Sequence, residues 1–484
     1  MGYKLDWGKL LSSERIRNSS ASARHRNAFE LDYDRIVGSS SVRRLQDKAQ
    51  VFPLQENDFT RTRLTHSLEV SALAKSLGKA VGLKILDTKI DPTFDATKVE
   101  ELISLLQTAG LIHDLGNPPF GHYGETVIRQ WFADWFDGSH YKKIMSNLKK
   151  EDIMVDEQMK DFLFFDGNVQ NLRIVTKLQM LNDQYGANLT YATLASLIKY
   201  PWSSNDADTK PNKKQAKNKY GYYQSEKGLV EAIWKATGLE EGIRHPATFL
   251  LEAADDITYI CDDIEDGVKK EKIDWEKEFK NIQKEFTGEF YKPLFDRLDK
   301  INSTMRDSIP EKMSASVLNF RNAAQGFMLV HAENSFINHY NQIMNGEFGI
   351  NELLDFDEIK PFIKYLKNIA RNSCFNCKEV LTLELIGDKV IKGLLDIFIP
   401  AIVEATNIED TRTYAGKLYS IISPNFKYIA KFDYNKNCER EFSELSLYEK
   451  MQLITDYISG MTDSYAVNLY KELTGYKLPQ WRYN

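Results

Sequence analysis

Cysteine is scarce in this 484-residue chain, and its placement removes one class of site at once. Of four cysteines only Cys374 and Cys377 form a CxxC pair, while Cys261 and Cys438 stand alone. A four-thiolate zinc centre is therefore not expected, and ordinary reduced, partly buried thiols are. Long apolar runs are missing too: none approaches the ~20 residues that a membrane span requires. The N-terminus, with Lys4, Asp6, Lys9, Glu14 and Arg15, is too polar for a secretory leader. A cytoplasmic protein is expected. Charge of one sign is also lacking, since a formal balance of −6 singles out neither nucleic acid nor an anionic membrane as partner. Internal repeats, sustained heptads and strand-like alternations are absent or few. What remains is 42% hydrophobic and 27% charged, enough to bury a large core, and the expected fold is mainly α.

The most informative stretch runs from Leu111 to Glu125, with His113-Asp114 followed by Gly116 and the pair Pro118-Pro119. Before it, Leu102, Ile103, Leu105, Leu106, Ala109 and Leu111 recur near helical spacing, which predicts a buried helix from Val99. Gly116 and the prolines predict its end, because glycine caps a helix and proline cannot continue one. His113 and Asp114 thus fall at the end of a core helix. A second helix is predicted to open at Arg61-Thr62-Arg63-Leu64-Thr65-His66 and to run past Leu77 and Val81. His66 alone, beside an apolar face, reads as a structural histidine until its context is added.

A third helix is predicted from His245-Pro246 to Gly267. On it Asp255, Tyr259 and Asp263 are spaced i, i+4, i+8 and line one face, while Phe249, Leu250, Ala253, Ile257, Ile260 and Ile264 predict burial. A carboxylate on a buried face is costly without a cation, so Asp255 reads as a metal ligand. Asp262, Glu265 and Asp266 read as a solvated acidic face. Two imidazoles and two carboxylates, His66, His113, Asp114 and Asp255, would then hold one divalent ion. Mixed nitrogen and oxygen ligation suits Mn²⁺ or Mg²⁺, which would polarise a phosphoryl oxygen and acidify bound water. That constellation points to a phosphohydrolase.

Elsewhere the chain is organised as an N-terminal arm over residues 1–30, a core over 31–275 and a helical C-terminal region over 276–484. The arm is polar and reads as lying on the surface or on a neighbouring subunit, with core structure starting near Leu31. Trp131, Phe132, Trp135 and Phe136 read as core. Further helices are predicted from Asn171 to Leu181, Leu189 to Ile198, Ile273 to Ile301, Val317 to Ile343 and Leu381 to Val403. A last pair, over residues 444 to 475, breaks at Gly460. Thr209 to Lys219 carries five lysines and no apolar anchor, and reads as a solvated insertion.

Several stretches in order carry a resemblance: Arg43-Arg44-Leu45 through Gln50-Val51-Phe52-Pro53, Arg61 to Ser67, His113 to Glu125, Ala253 to Tyr259, and Asp456 to Asp463. Together they resemble the HD-domain metal-dependent phosphohydrolases, and specifically the bacterial deoxyguanosine triphosphate triphosphohydrolases. The resemblance spans residues from about 30 to 475 and implies an HD-domain helical core with additional C-terminal helices. It implies that His66, His113, Asp114 and Asp255 are metal ligands, that His122 lies near the scissile phosphate, and that Glu125 pairs with it. Gln50 would read the sugar 3′-hydroxyl, Tyr259 and Asp263 would close on the deoxyribose and phosphate side, and Lys199, Tyr200 and Arg63 would touch the triphosphate. The implied reaction converts dGTP to deoxyguanosine and inorganic triphosphate. The insertion lies outside the shared stretches, which leaves base selectivity open.

Two neighbouring readings remain: a broad dNTP triphosphohydrolase activated by a second dNTP, or another HD-domain nucleotide phosphohydrolase. A more distant one is a non-catalytic regulator that binds single-stranded nucleic acid through Arg43, Arg44 and the lysine insertion. The resemblance also implies a homo-oligomer, in many members a hexamer; single-stranded DNA is a candidate partner, and the lack of long apolar runs predicts no membrane.

Overall fold

A computed structural model describes residues 3–18, 25–52, 61–148, 153–209, 218–306, 308–309, 311–356, 358–405 and 407–477. Pro53 and residues 210–217 of the lysine insertion fall outside these. Among the described residues the chain is helical almost throughout, with one antiparallel pair of short strands, Phe432–Asp433 and Cys438–Glu439. No described helix is long and apolar enough to cross a membrane.

Five helices position the site. α1, Arg63–Thr88, starts on a reciprocal cap in which Thr62 and Thr65 each bond the other's backbone N–H. α2, Ala96–Ile112, starts on Asp95, whose side chain accepts from the Lys98 N–H. Gly110 lets these two helices touch: a Cβ there would lie 2.7 Å from the Ser71 Cα, so any larger residue would push α1 away. α3, Gly121–Asp137, follows a turn in which Phe120 adopts a left-handed conformation at φ 64°. α4, Gly167–Arg173, is short and continues into a π-helical turn, Ile174–Leu178. α5, Pro246–Lys269, packs on both α1 and α2.

Two apolar clusters form the core. One gathers α1, α2 and α5 with Lys312–Asn338 and Ile359–Ala370; the other gathers α3 with Lys378–Val403 and Leu447–Ser459. The His113 to Glu125 stretch bridges them, because Leu115 belongs to the first cluster and Phe120 to the second. Trp131, Phe132 and Phe136 are buried in the second, and Trp135 packs against it.

Several boundaries differ from expectation, each for a local reason. Core structure begins before Leu31: Trp7 and Leu10 are fully buried, and Trp7 donates from its indole N–H to the Tyr340 hydroxyl. A short apolar turn inside a polar segment escapes a reading based on composition. α2 ends at Ile112 rather than Gly116, with a turn carrying His113 through Gly116. α5 runs through Gly267 to Lys269; a Cβ at Gly267 would meet Cys374 Sγ at 2.6 Å, so this glycine serves packing and not termination. The segment from Ile273 to Ile301 contains two helices, Trp275–Glu285 and Lys292–Ser303, parted at Gly288. Helix predicted from Asn171 to Leu181 begins earlier and changes to the π-helical turn.

Candidate active site

Ligand atoms of His66, His113 and Asp114 lie within 4.8 Å of one another where α1 meets the end of α2. Asp255, from α5, closes the group: its Oδ1 is 3.1 Å from His66 Nε2 and 3.3 Å from His113 Nε2. Both imidazoles thus aim Nε2 at one carboxylate oxygen, a geometry that either N–H donation or a shared divalent ion would satisfy. His113 is oriented for the second role, because its Nδ1 donates to the Gly110 carbonyl at 2.8 Å and so leaves Nε2 as the ligating nitrogen. That Nε2 is buried with no hydrogen-bond partner among the described residues, an orphan that a metal would satisfy. The four residues therefore fit a divalent ion.

Asp114 is held on both oxygens. Asn117 donates to Oδ1 at 2.6 Å and Arg63 to Oδ2 at 2.6 Å. Burial pushes the Asp114 carboxyl up, but Arg63 and His113 outweigh it and hold it well below the usual range. Asp255 behaves alike: burial is opposed by His113, His66 and Lys199, whose Nζ lies 3.7 Å from Oδ2. For His66, burial is outweighed by the Asp255 and Asp262 carboxylates, which hold its imidazole up to about 10. That proton must leave before the nitrogen can bind metal. Divalent-metal affinity is thus expected to rise about tenfold per pH unit through neutral pH, as deprotonation becomes cheaper. Metal titrations in buffers of different pH check this, and a flat profile would contradict it.

His122 and Glu125 sit on the first turn of α3. The His122 side chain is 81% exposed, whereas Glu125 is buried. His122 Nδ1 lies 3.5 Å from Glu125 Oε2, and a hydrogen bond with Glu125 raises the imidazole above its ordinary range. Glu125 is anchored from behind by α4, since its Oε1 accepts from the Gly167 N–H at 2.8 Å. The same helix holds the His113 turn: Asn171 donates to the His113 carbonyl at 3.1 Å. Contact is so close that a Cβ on Gly116 would lie 2.0 Å from the Gly167 carbonyl.

The remaining expected contacts are found in different states. Arg63 is buried against Asp114 and so acts on the ligand set. Gln50 carries a buried Oε1 with no hydrogen-bond partner among the described residues, an acceptor suited to a hydroxyl donor. Tyr200 packs under the Arg244 guanidinium and Tyr259 against Lys367. Asp263 is buried two turns along α5 from Asp255, and burial raises its carboxyl well above the usual range. The expected solvated face of Asp262, Glu265 and Asp266 is instead buried. Arg61 reaches Glu265 at 2.7 Å and Asp266 at 2.5 Å, and Arg321 donates to Asp262 at 2.8 Å.

Sequence reasoning gave no role to Lys48, Asn117 or Asp463, yet they shape the site. Asp463 accepts from the Ala49 N–H at 3.0 Å and the Phe120 N–H at 2.9 Å, tying the segment that carries Gln50 to the one that carries His122. Lys48 donates to the Asn117 carbonyl at 2.5 Å. Asn117, three residues after Asp114, was the one readable signal, since an asparagine at that spacing can bond back to an aspartate.

The HD domain model matches residues 63–161 and the phosphohydrolase-associated domain model residues 408–472. A Listeria innocua protein called deoxyguanosinetriphosphate triphosphohydrolase-like is 40% identical, over 97% of this chain and 100% of its own length. The chain belongs to the deoxyguanosine triphosphate triphosphohydrolase family of HD-domain proteins. A Pseudomonas aeruginosa protein with the same "-like" name is 34% identical over 98% of this chain and 100% of its own. One from Yersinia pestis, named deoxyguanosinetriphosphate triphosphohydrolase, is 31% identical over 97% of this chain and 99% of its own. Family membership makes this chain a metal-dependent phosphohydrolase, in keeping with the HD domain and the clustered His66, His113 and Asp114.

Proposed function

We propose that the chain hydrolyses a deoxynucleoside triphosphate at the α-phosphorus, with dGTP as the preferred substrate, releasing deoxynucleoside and inorganic triphosphate. The observation that carries this reading is the pairing of a four-residue cation site with the His122–Glu125 couple on the adjoining turn. His66, His113, Asp114 and Asp255 would hold the ion, Mn²⁺ or Mg²⁺, which when bound polarises a phosphoryl oxygen and lowers the pKa of water. Water attacks the α-phosphorus and the bond to the 5′-oxygen breaks. His122, kept protonated by Glu125, delivers a proton to the departing 5′-oxygen. Lys199 and Arg63 offset charge on the triphosphate. The unpartnered Gln50 Oε1 accepts from the 3′-hydroxyl, while Tyr200, Tyr259 and Asp263 line the sugar and phosphate side. Names of the relatives support dGTP over the other dNTPs.

The deciding experiment supplies purified protein and Mn²⁺ or Mg²⁺ with each dNTP and with GTP, singly and in pairs, and separates products by ion exchange. Deoxyguanosine and triphosphate from dGTP alone support the proposal. Turnover only in mixtures would favour a broad enzyme activated by a second nucleotide; a diphosphate product would place attack at another phosphorus, and a monophosphate would show that the bond to the 5′-oxygen is not the one broken, so either would contradict the proposal.

His122→Ala is expected to lower kcat about a hundredfold, the low end for loss of a general acid, because the exposed position admits water in its place. Imidazole added to the assay should restore part of the loss. Unchanged kcat would remove His122 from the chemistry.

A further inference from the structure

His66 is bracketed by two carboxylates of one helix. Asp255 and Asp262 are seven residues apart on α5, two turns, so both present their side chains to α1. Asp255 Oδ1 lies 3.1 Å from His66 Nε2, and Asp262 Oδ2 lies 3.9 Å from His66 Nδ1 on the opposite edge of the ring. His66 Nδ1 and Asp262 Oδ2 are both buried, and neither has a hydrogen-bond partner among the described residues. Asp262 itself is 1% exposed and immobilised: Arg321 donates to its Oδ1 at 2.8 Å, and Arg61 Nε stands 3.5 Å from its Oδ2. Arg321 also reaches Glu69 at 2.9 Å, and both arginines reach Glu265. A buried carboxylate between two arginines is stabilised as an anion, and its Oδ2 faces the one ring nitrogen of His66 that a metal would leave unused.

We propose that Asp262, clamped by Arg61 and Arg321, is the positioning residue of the metal centre. It accepts the Nδ1 proton of His66, fixes the tautomer that presents Nε2 to the ion, and holds the ring plane. His113 obtains the same service from the Gly110 carbonyl, so each imidazole of the site has its own fixed acceptor behind it. The inference rests on the metal-site reading above. It adds a reason why Arg61 and Arg321, which touch neither His66 nor the other ligands in the described contacts, matter to metal binding.

Asp262→Asn tests it in the full-length protein. Arg321 claims Oδ1, so the new amide places its NH₂ against His66 Nδ1 and favours the wrong tautomer. Affinity for Mn²⁺, measured by calorimetric titration, is expected to fall about tenfold to a hundredfold. Glu265→Gln is the comparison, since it removes another carboxylate from the same two arginines without facing His66. Its affinity should stay within about twofold of the parent. Equal losses in both variants, or none in Asp262→Asn, would reduce Asp262 to an anchor for the arginines and overturn the proposal. Histidine ¹⁵N spectra of the Mg²⁺-loaded parent give a second readout that needs no variant. A protonated Nδ1 on His66 is required, and an unprotonated Nδ1 refutes the assignment. Absence of metal binding by the parent itself would overturn the metal-site reading and this inference together.

Discussion

Asp114→Ala is expected to lower turnover below about a thousandth of the parent and to weaken divalent-metal binding by well over about a hundredfold. Two losses act in the same direction. The ion loses a carboxylate ligand that Asn117 and Arg63 hold in place. Arg63, buried at 4% exposure, then becomes an uncompensated cation beside the place the metal must occupy, so repulsion adds to the missing bond. Asp114→Asn separates the two effects. It preserves volume and one acceptor for Arg63 while removing the charge, so metal affinity should remain low with less damage to folding. Product assays and Mn²⁺ titrations check both variants; an Asp114→Ala protein that keeps metal affinity within about tenfold would exclude Asp114 from the ligand set.

The parts of this site that could be read from sequence are those set by local spacing. Leu102 through Leu111 and Phe249 through Ile264 announce α2 and α5 by their apolar periodicity, and Pro246 marks the start of α5. His113 and Asp114 fall just past a helix end because glycine and proline follow them. What could not be read depends on partners distant in the chain. Asp262, Glu265 and Asp266 look like a solvated face in sequence, because the arginine that buries them is about 200 positions earlier and a second is about 60 later. Trp7 looks like part of a polar arm until Tyr340 receives its N–H. Asp463 has no local signal at all: its role comes from two backbone N–H groups more than 300 residues upstream. Periodicity encodes elements, whereas the electrostatic frame that aims the ligands is encoded between elements.

That frame extends behind the site through Asp456, and Asp456→Ala is expected to cost about 3–5 kcal/mol of stability. Asp456 is buried on the Leu447–Ser459 helix, where it accepts from Arg173 Nε and a terminal nitrogen at 2.8 and 2.7 Å and from Gln170 at 3.0 Å. Without it, Glu226, at 2.7 Å, is the one carboxylate left to the buried Arg173 guanidinium among the described residues, and it is shared with Lys177. Two buried cations on one anion are unfavourable whatever the surrounding packing. The functional consequence follows from the position of Arg173 at the end of α4, the helix whose Gly167 N–H holds Glu125 and whose Asn171 holds the His113 turn. Turnover should therefore fall even at temperatures where the variant remains folded. Denaturant unfolding measures the first effect and the product assay the second. Replacing both charges, Asp456→Leu with Arg173→Met, should recover much of the stability by removing the orphaned cation, but leave α4 without the fork that orients it. Recovery of full activity in that double variant, or a loss below about 1 kcal/mol in Asp456→Ala, would show that the pair does not brace the site.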